Sequence, residues 1–222
     1  MIGIYDYTVI ATYVATIFGV CGIFQAADGH VLPAVICLLL AGLLDTFDGR
    51  IARSKKDRTE QGKRFGIQID SLNDLVCFGA LPASICRCLY LNRPGAYTGA
   101  RQGQGILFTA VACFFVLAGL IRLAYFNVME EERQRSTSDV RKYYLGLPIT
   151  ASTLICPLLY LLVLLLPHAT AAILIVGLLV TGILYIAPLH IPKPGLKGIL
   201  GMSVVGAAEL GGLVYVVLQQ LN

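Results

Sequence analysis

The sequence predicts an all-α, polytopic bundle of transmembrane helices, with six core helices and one additional helix at the C-terminus. Of the 222 residues, 57% are hydrophobic and only 14% are charged, and the mean hydropathy is +0.76. Soluble domains carry about 25% charged residues. Apolar runs close to the ~20 residues that a bilayer requires recur along the whole chain. The length leaves no room for a separate soluble module, so we expect one membrane domain over residues 1–222.

Seven apolar runs are predicted to form the helices. The second run ends, and the third begins, with a pair of aspartates. Glu209 interrupts the seventh run, which is also rich in glycine. In chain order the runs are Tyr5–Ala26, Val31–Ala52, Ile67–Leu91, Gly105–Val128, Leu147–Leu166, Thr170–Leu189 and Ile199–Leu218.

Lysine and arginine are divided unevenly between the connections that join these runs. Thirteen of the seventeen fall in the second, fourth and sixth connections. Because short cytoplasmic connections carry the excess of positive charge, these connections and the N-terminus are expected in the cytoplasm. The net charge of +4 is explained by this topology and does not indicate a nucleic-acid partner.

Four aspartates in two pairs, Asp45/Asp48 and Asp70/Asp74, are the candidate functional residues. Spacings of three and four residues place the members of each pair on one face of a helix. A carboxylate at the bilayer centre costs about 2.5 to 3.5 kcal/mol, so this group requires compensation. Oxygen ligands of this kind suit Mg²⁺ or Mn²⁺, and four of them could hold two ions that clamp a phosphoryl group.

The aspartates belong to a longer pattern that resembles the signature of the CDP-alcohol phosphatidyltransferases at all eight of its fixed positions. The gap between Arg53 and Gly66 is longer than is usual in that family, and the additional residues fall in a polar loop. Eight fixed residues at set spacings on two apolar runs are a specific signal. The pattern reads Asp45-x2-Asp48-Gly49-x2-Ala52-Arg53, then Gly66-x3-Asp70-x3-Asp74.

The resemblance implies a reaction in which a CDP-activated lipid passes its phosphatidyl group to an alcohol and CMP leaves. It also implies two Mg²⁺ or Mn²⁺ ions as cofactors and a homodimer. The implied roles are metal ligation by Asp45, Asp48, Asp70 and Asp74, general-base catalysis by Asp74, and CDP-lipid binding by Gly49, Ala52, Arg53 and Gly66.

Three further stretches resemble the integral-membrane phosphatidylserine synthases of that family. Asp70–Pro82 is similar to their DSLxDxxSFGxxP stretch, with Cys77 in place of the usual serine. Arg122–Asn127 is similar to RLARFN, with Tyr125 replacing the second arginine, and Tyr144–Pro148 is similar to F-x-GLP. This resemblance implies CDP-diacylglycerol as donor and L-serine as acceptor, and we expect a bacterial-type cell membrane. Because both aspartate pairs adjoin the second connection, the active site is expected to face the cytoplasm.

Arg122 and Asn127 are the candidate acceptor-binding residues. Arg122 lies inside an apolar run, where a charged side chain usually faces the protein interior and serves a function. We expect it to meet the serine carboxylate or a phosphate; a snorkelling or structural ion-pair role is the alternative. In the first run, Thr12 and Gly19 keep the T-x6-G spacing that the resemblance leads us to expect.

Two alternative functions remain open from the sequence. The same chemistry with glycerol 3-phosphate or an inositol phosphate as acceptor would require additional bases, which Arg122, Arg133 and Arg135 could supply. An ion-coupled membrane transporter also uses intramembrane carboxylates. The absence of an inverted repeat and the grouping of the aspartates in one part of the chain favour the enzyme.

Overall fold

The computed structural model confirms the predicted fold class. It describes residues 3–54, 59–93, 102–136, 143–192 and 195–221, which form eight α-helices and one two-stranded ribbon. The helices are α1 (Tyr7–Ala27), α2 (Val31–Ser54), α3 (Glu60–Asp74), α4 (Leu81–Asn92), α5 (Gln102–Ser136), α6 (Ser152–Leu165), α7 (Thr170–Ile186) and α8 (Leu196–Leu221), and the strands are β1 (Tyr143–Leu145) and β2 (His190–Pro192).

Six helical segments in the described ranges are long and apolar enough to cross a membrane. A seventh apolar helix, Ile149–Leu165, is shorter and packs within the same bundle. The C-terminal helix α8 continues through Glu209, where the sequence suggested an interruption. The six segments are Tyr7–Ala27, Val31–Asp48, Glu60–Asn92, Gly103–Arg133, Pro167–Ile186 and Leu200–Gln219.

Helices α3 and α4 form one continuous rod because a π-helical turn, Leu75–Ala80, joins them directly after Asp74. Turns of this type are rare and often occur at functional sites, since the extra residue shifts the face that follows. The turn is held from two sides. Ser152 Oγ of α6 lies 2.9 Å from the Phe78 carbonyl oxygen, and Cys77 Sγ lies 3.3 Å from the Ala15 carbonyl oxygen of α1.

The close approach of α1 to this rod depends on Gly19. A Cβ atom at Gly19 would lie 2.6 Å from Cys77 Sγ, which is closer than real side chains approach. The core around this crossing contains Ala15, Leu38 and Phe78, all fully buried. Small residues at a crossing let helix backbones pack closely, which is typical of membrane bundles.

The ribbon of β1 and β2 lies beside the first turn of α6 and the last turn of α7. Its two strands are antiparallel, and Tyr144 is paired with Ile191. Gly146 follows β1 with a φ of +76°, and its N–H donates to the Leu189 carbonyl oxygen at 2.8 Å. The next N–H, of Leu147, donates to the Leu184 carbonyl oxygen at 2.9 Å. These contacts fix the ribbon to the end of α7.

Candidate metal and substrate site

The two aspartate pairs come together where the C-terminal half of α2 meets the C-terminal half of α3. Ligand oxygens of Asp45, Asp70 and Asp74 all lie within 4.8 Å of one another. The Asp45 side chain lies within hydrogen-bonding reach of the Asp74 side chain, and the Asp48 side chain lies within reach of that of Asp70. Each pair forms one face of its helix, as the spacing predicts, and the packing of α2 against the rod brings the two faces together.

Asp48 joins the cluster from its buried side. Its residue surface is only 7% exposed, and its Oδ2 accepts a hydrogen bond from Thr12 Oγ1 at 3.4 Å. Thr12 belongs to α1, so this helix orients one of the four carboxylates directly. The group whose ligand oxygens lie within 4.8 Å of one another contains Asp45, Asp70 and Asp74, and Asp48 adjoins it through its contact with Asp70.

The donor set fits a divalent cation. Two carboxylates that approach this closely need a proton or a cation between their oxygens, and two such contacts occur here. Asp74 Oδ1 is buried and has no hydrogen-bond partner in the part of the chain that the structure describes. A buried acceptor of this kind is costly unless something binds it. Carboxylate oxygens alone are the ligands that Mg²⁺ and Mn²⁺ prefer.

A second polar group lies next to the aspartates, between α1 and α3. Asn73 is 2% exposed, and its Oδ1 accepts hydrogen bonds from Thr16 Oγ1 at 2.8 Å and from Cys77 Sγ at 3.2 Å. Thr16 lies one helical turn after Thr12, so consecutive turns of α1 hold Asp48 on α2 and Asn73 on α3. Sequence reasoning missed Thr16 and Asn73, because a polar residue in an apolar run does not reveal its partner.

The candidate acceptor-binding residues lie on α5, beside α3. Asn127 Nδ2 donates to Ser71 Oγ at 2.8 Å, directly after Asp70 in the chain. Arg122 is only 9% exposed, and its guanidinium carbon lies 5.9 Å from the centroid of the Phe126 ring. Thus Arg122 faces the protein interior, as expected for an intramembrane arginine.

The candidate CDP-lipid-binding residues flank the two aspartate pairs. Gly66 lies on α3, one turn before Asp70, and is half-buried. Gly49, Ala52 and Arg53 lie in the last turns of α2, outside the residues whose side chains the structure describes. Their roles stay predictions.

A cavity of about 540 Å³ opens beside the cluster, between α2, the ribbon, α6 and α8. Asp45 and Tyr144 lie in its wall, and most of the remaining lining is aliphatic. Tyr144 is a further residue that sequence reasoning did not single out, although it opens the stretch that resembles F-x-GLP. The cavity therefore combines a charged edge with apolar walls.

Comparison with known protein families agrees with this arrangement. A family model described as CDP-alcohol phosphatidyltransferase matches residues 7–184. The chain belongs to the CDP-alcohol phosphatidyltransferase family. The matched region includes both aspartate pairs, the π-helical turn and Tyr144.

Individual relatives agree with this family assignment. The chain is 33% identical to a CDP-diacylglycerol–serine O-phosphatidyltransferase of Helicobacter pylori over 144 residues, which are 65% of this chain and 52% of the relative. It is 34% identical to the enzyme of that name from Saccharomyces cerevisiae over 121 residues, 54% of this chain and 38% of the relative.

An archaeal protein is similar to nearly the same extent. An archaetidylserine synthase of Methanothermobacter thermautotrophicus is 32% identical over 143 residues, 64% of this chain and 52% of the relative. The chain spans about half the length of the Helicobacter and Methanothermobacter proteins. Together with the six apolar segments, these relatives indicate that the chain is an integral membrane protein.

Proposed function

We propose that this chain transfers the phosphatidyl group of CDP-diacylglycerol to the hydroxyl of L-serine, producing phosphatidylserine and CMP. The observation that carries the proposal is the meeting of the aspartates of α2 and α3 beside a cavity with a charged edge and apolar walls. The names of the three relatives support serine as the acceptor, since each of them is named for serine transfer or for a serine lipid.

The cavity suits the donor, which has a lipid part and a charged part. Its aliphatic walls on α2, α6 and α8 would accept an acyl chain, while Asp45 marks the end at which the diphosphate would lie. Arg53 has the planar, forked geometry that binds phosphate oxygens. Gly49 and Gly66 lack a Cβ, so the nucleotide could approach the helix backbones closely.

Asp45, Asp48, Asp70 and Asp74 would hold two divalent cations, Mg²⁺ or Mn²⁺. When bound, such ions neutralise the diphosphate and stabilise the negative charge that develops on the departing phosphate. The protein's own contribution is to hold the carboxylates in place. Thr12 holds Asp48 by a hydrogen bond. Asn127 holds Ser71, the residue that follows Asp70.

Asp74 would act as the general base. As the serine oxygen forms its bond to the lipid-side phosphorus, the hydroxyl proton passes to Asp74, and the bond between that phosphorus and the CMP oxygen breaks, with its electron pair leaving on CMP. Because a carboxylate has two oxygens, Asp74 could hold a cation with one of them and receive this proton on the other, and its buried Oδ1 has no hydrogen-bond partner among the described residues.

We further propose that the site faces the cytoplasm of a bacterial-type cell membrane, which the distribution of lysine and arginine supports. The proposed homodimer and the single domain over residues 1–222 can both be checked with purified protein. The mass of the detergent-solubilised complex gives the oligomeric state, and limited proteolysis shows whether the chain contains one protected unit.

An acceptor panel tests the function. Purified protein in nanodiscs is given CDP-diacylglycerol, or its archaeal ether-lipid counterpart, with L-serine, glycerol 3-phosphate or an inositol phosphate, and released CMP and the lipid product are measured. We expect CMP only when donor, serine and Mg²⁺ or Mn²⁺ are all present, and none in EDTA. A higher kcat/KM for glycerol 3-phosphate would overturn serine as the acceptor, and ion flux without CMP release would favour a transporter.

A further inference from the structure

Tyr144 lies where the ribbon, helix α5 and the cavity meet. Its side chain lines the cavity together with Asp45. Its ring also contacts Phe126 of α5, with 6.4 Å between the two ring centroids. The Arg122 guanidinium carbon lies 5.9 Å from the centroid of the same Phe126 ring. Tyr144 and Arg122 are therefore both neighbours of Phe126, and Tyr144 also lines the cavity that Asp45 borders.

Two opposite charges act on the Tyr144 hydroxyl. Burial raises the pKa of Tyr144 above its ordinary value, the positive charge of Arg122 partly lowers it, and the negative charge of Asp45 raises it. The phenol therefore keeps its proton at neutral pH and can donate a hydrogen bond. A negatively charged group bound between Arg122 and Tyr144 would meet one cation and one neutral donor.

The backbone holds Tyr144 rigidly in this position. Its strand β1 is paired with β2, opposite Ile191. At Gly146, two residues further on, φ is +76° and a Cβ atom would lie 2.5 Å from the Tyr185 carbonyl oxygen. The backbone at this point packs closely against the end of α7, and this packing restricts the position of the Tyr144 side chain. A side chain whose backbone is already fixed loses little conformational entropy when it binds a ligand.

We propose that Tyr144 is an acceptor-binding residue whose hydroxyl donates a hydrogen bond to the carboxylate of the acceptor serine, beside the Arg122 guanidinium. The inference rests on the proposed function. A carboxylate is a planar monoanion with two oxygens, so it can accept from both groups at once.

The F-x-GLP motif that Tyr144–Pro148 resembles has phenylalanine at this position. Tyr144→Phe therefore removes one oxygen atom and keeps the ring that packs against Phe126. Because the hydroxyl binds the part of serine that does not react, its removal should weaken acceptor binding and leave the chemical step unchanged.

The test compares two acceptors in wild-type and Tyr144→Phe protein. For serine, we expect the KM of Tyr144→Phe to rise about tenfold or more, as for a lost hydrogen bond to a charged group, with kcat and the KM for CDP-diacylglycerol within about twofold of wild type. Ethanolamine has the hydroxyl and the amine of serine and lacks the carboxylate. The kcat/KM for any CMP release that wild-type protein supports with ethanolamine should be unaffected by the substitution.

Tyr143→Phe is the matched control, since Tyr143 is the preceding residue of β1 and is exposed. It should leave all of these constants unchanged, and melting curves of both variants should match that of the wild type. An unchanged serine KM in Tyr144→Phe overturns the inference, as does an equal loss with serine and ethanolamine. If wild-type protein does not use serine at all, the proposed function fails first, and the role of Tyr144 fails with it.

Discussion

Asp74→Asn should change the stability of the protein in opposite directions with and without metal. The ligand oxygens of Asp45, Asp70 and Asp74 lie within 4.8 Å of one another. Two full negative charges at that distance repel by about 3 to 4 kcal/mol at an effective dielectric constant of about 20. Asparagine has the shape of aspartate without its charge, so the substitution removes two such repulsions from the metal-free protein.

The expected gain is smaller than the sum of these repulsions, because a proton shared between neighbouring carboxylates would already relieve part of them. A net relief of about 1 kcal/mol would raise the melting temperature in EDTA by about 2 to 4 °C for a chain of this length. Mn²⁺ at about 100 times its Kd should stabilise the wild type by about 2.7 kcal/mol. The variant, which lacks one carboxylate, should gain much less, so the order of the two melting temperatures should reverse.

Circular dichroism at a constant scan rate measures these melting temperatures in detergent, in EDTA and in Mn²⁺. Asp28→Asn is the control, because Asp28 is exposed at the other end of α1, and it should change neither value. The same preparations should show a loss of at least about a hundredfold in kcat for Asp74→Asn, the usual contribution of a general base. The metal site would be refuted if Asp74→Asn were less stable than wild type in EDTA and were stabilised equally by Mn²⁺. The role of Asp74 as general base would be refuted if the variant kept a tenth of the wild-type kcat.

Three other substitutions test how the site is supported. Ser152→Ala removes the hydroxyl that lies 2.9 Å from the Phe78 carbonyl oxygen, and it should lower the free energy of unfolding by about 1 to 2 kcal/mol in denaturation curves. Ser84→Ala should have little effect, because the Ser84 hydroxyl bonds only to the Ala80 carbonyl oxygen one turn back in the same rod. Equal losses in the two variants would refute a role of Ser152 in holding the π-helical turn. Gly146→Ala should lower the free energy of unfolding by about 2 kcal/mol or more, because φ is +76° and the new Cβ would lie 2.5 Å from the Tyr185 carbonyl oxygen. Gly201→Ala places its Cβ in open space and should be neutral or slightly stabilising. A neutral Gly146→Ala would show that the ribbon is not fixed to α7. Thr12→Val removes the hydrogen-bond donor to Asp48 and should weaken Mn²⁺ binding, measured by calorimetry, about fivefold. Thr109→Val removes an exposed hydrogen bond within α5 and should leave Mn²⁺ binding unchanged. An unchanged Mn²⁺ affinity in Thr12→Val would show that α1 does not support the site.

The long helices could be predicted from the sequence because apolar runs of membrane length have few other stable structures. The starts of α2 at Val31 and α7 at Thr170 agree with the predicted runs. Helix α5 continues to Ser136, eight residues beyond the predicted end at Val128, through a charged segment. An ion pair within that segment, Arg133 to Glu130 at 2.7 Å, supports the extra turns, and a hydropathy pattern does not register such a contact.

The ribbon and the π-helical turn could not be predicted. Strands β1 and β2 have three residues each, too few to show an alternating pattern, and helices α6 and α7 separate them in the chain. The π-helical turn Leu75–Ala80 lies inside an apolar run, where one additional residue per turn leaves composition unchanged. Both features depend on contacts between distant parts of the chain, such as Ser152 with Phe78 and Gly146 with Leu189.

The contacts among the aspartates were only partly evident from the sequence. Helical spacing places Asp45 near Asp48 and Asp70 near Asp74, because one face of one helix is a local property. Nothing local indicates which partner each carboxylate meets across α2 and α3. The structure brings Asp45 next to Asp74 and Asp48 next to Asp70, so both of these contacts join the two helices.

Helix α1 resolves a difficulty that this arrangement creates. Two helices that present like charges to each other repel until a cation binds, so another element must hold them together. Helix α1 has a face that contacts both helices: Thr12 donates to Asp48 on α2, and Thr16 donates to Asn73 on α3. The same face explains how Cys77 can replace the serine of the resembled motif. Its sulfur reaches the Ala15 carbonyl oxygen at 3.3 Å, and this larger atom fits because Gly19 has no Cβ in its way.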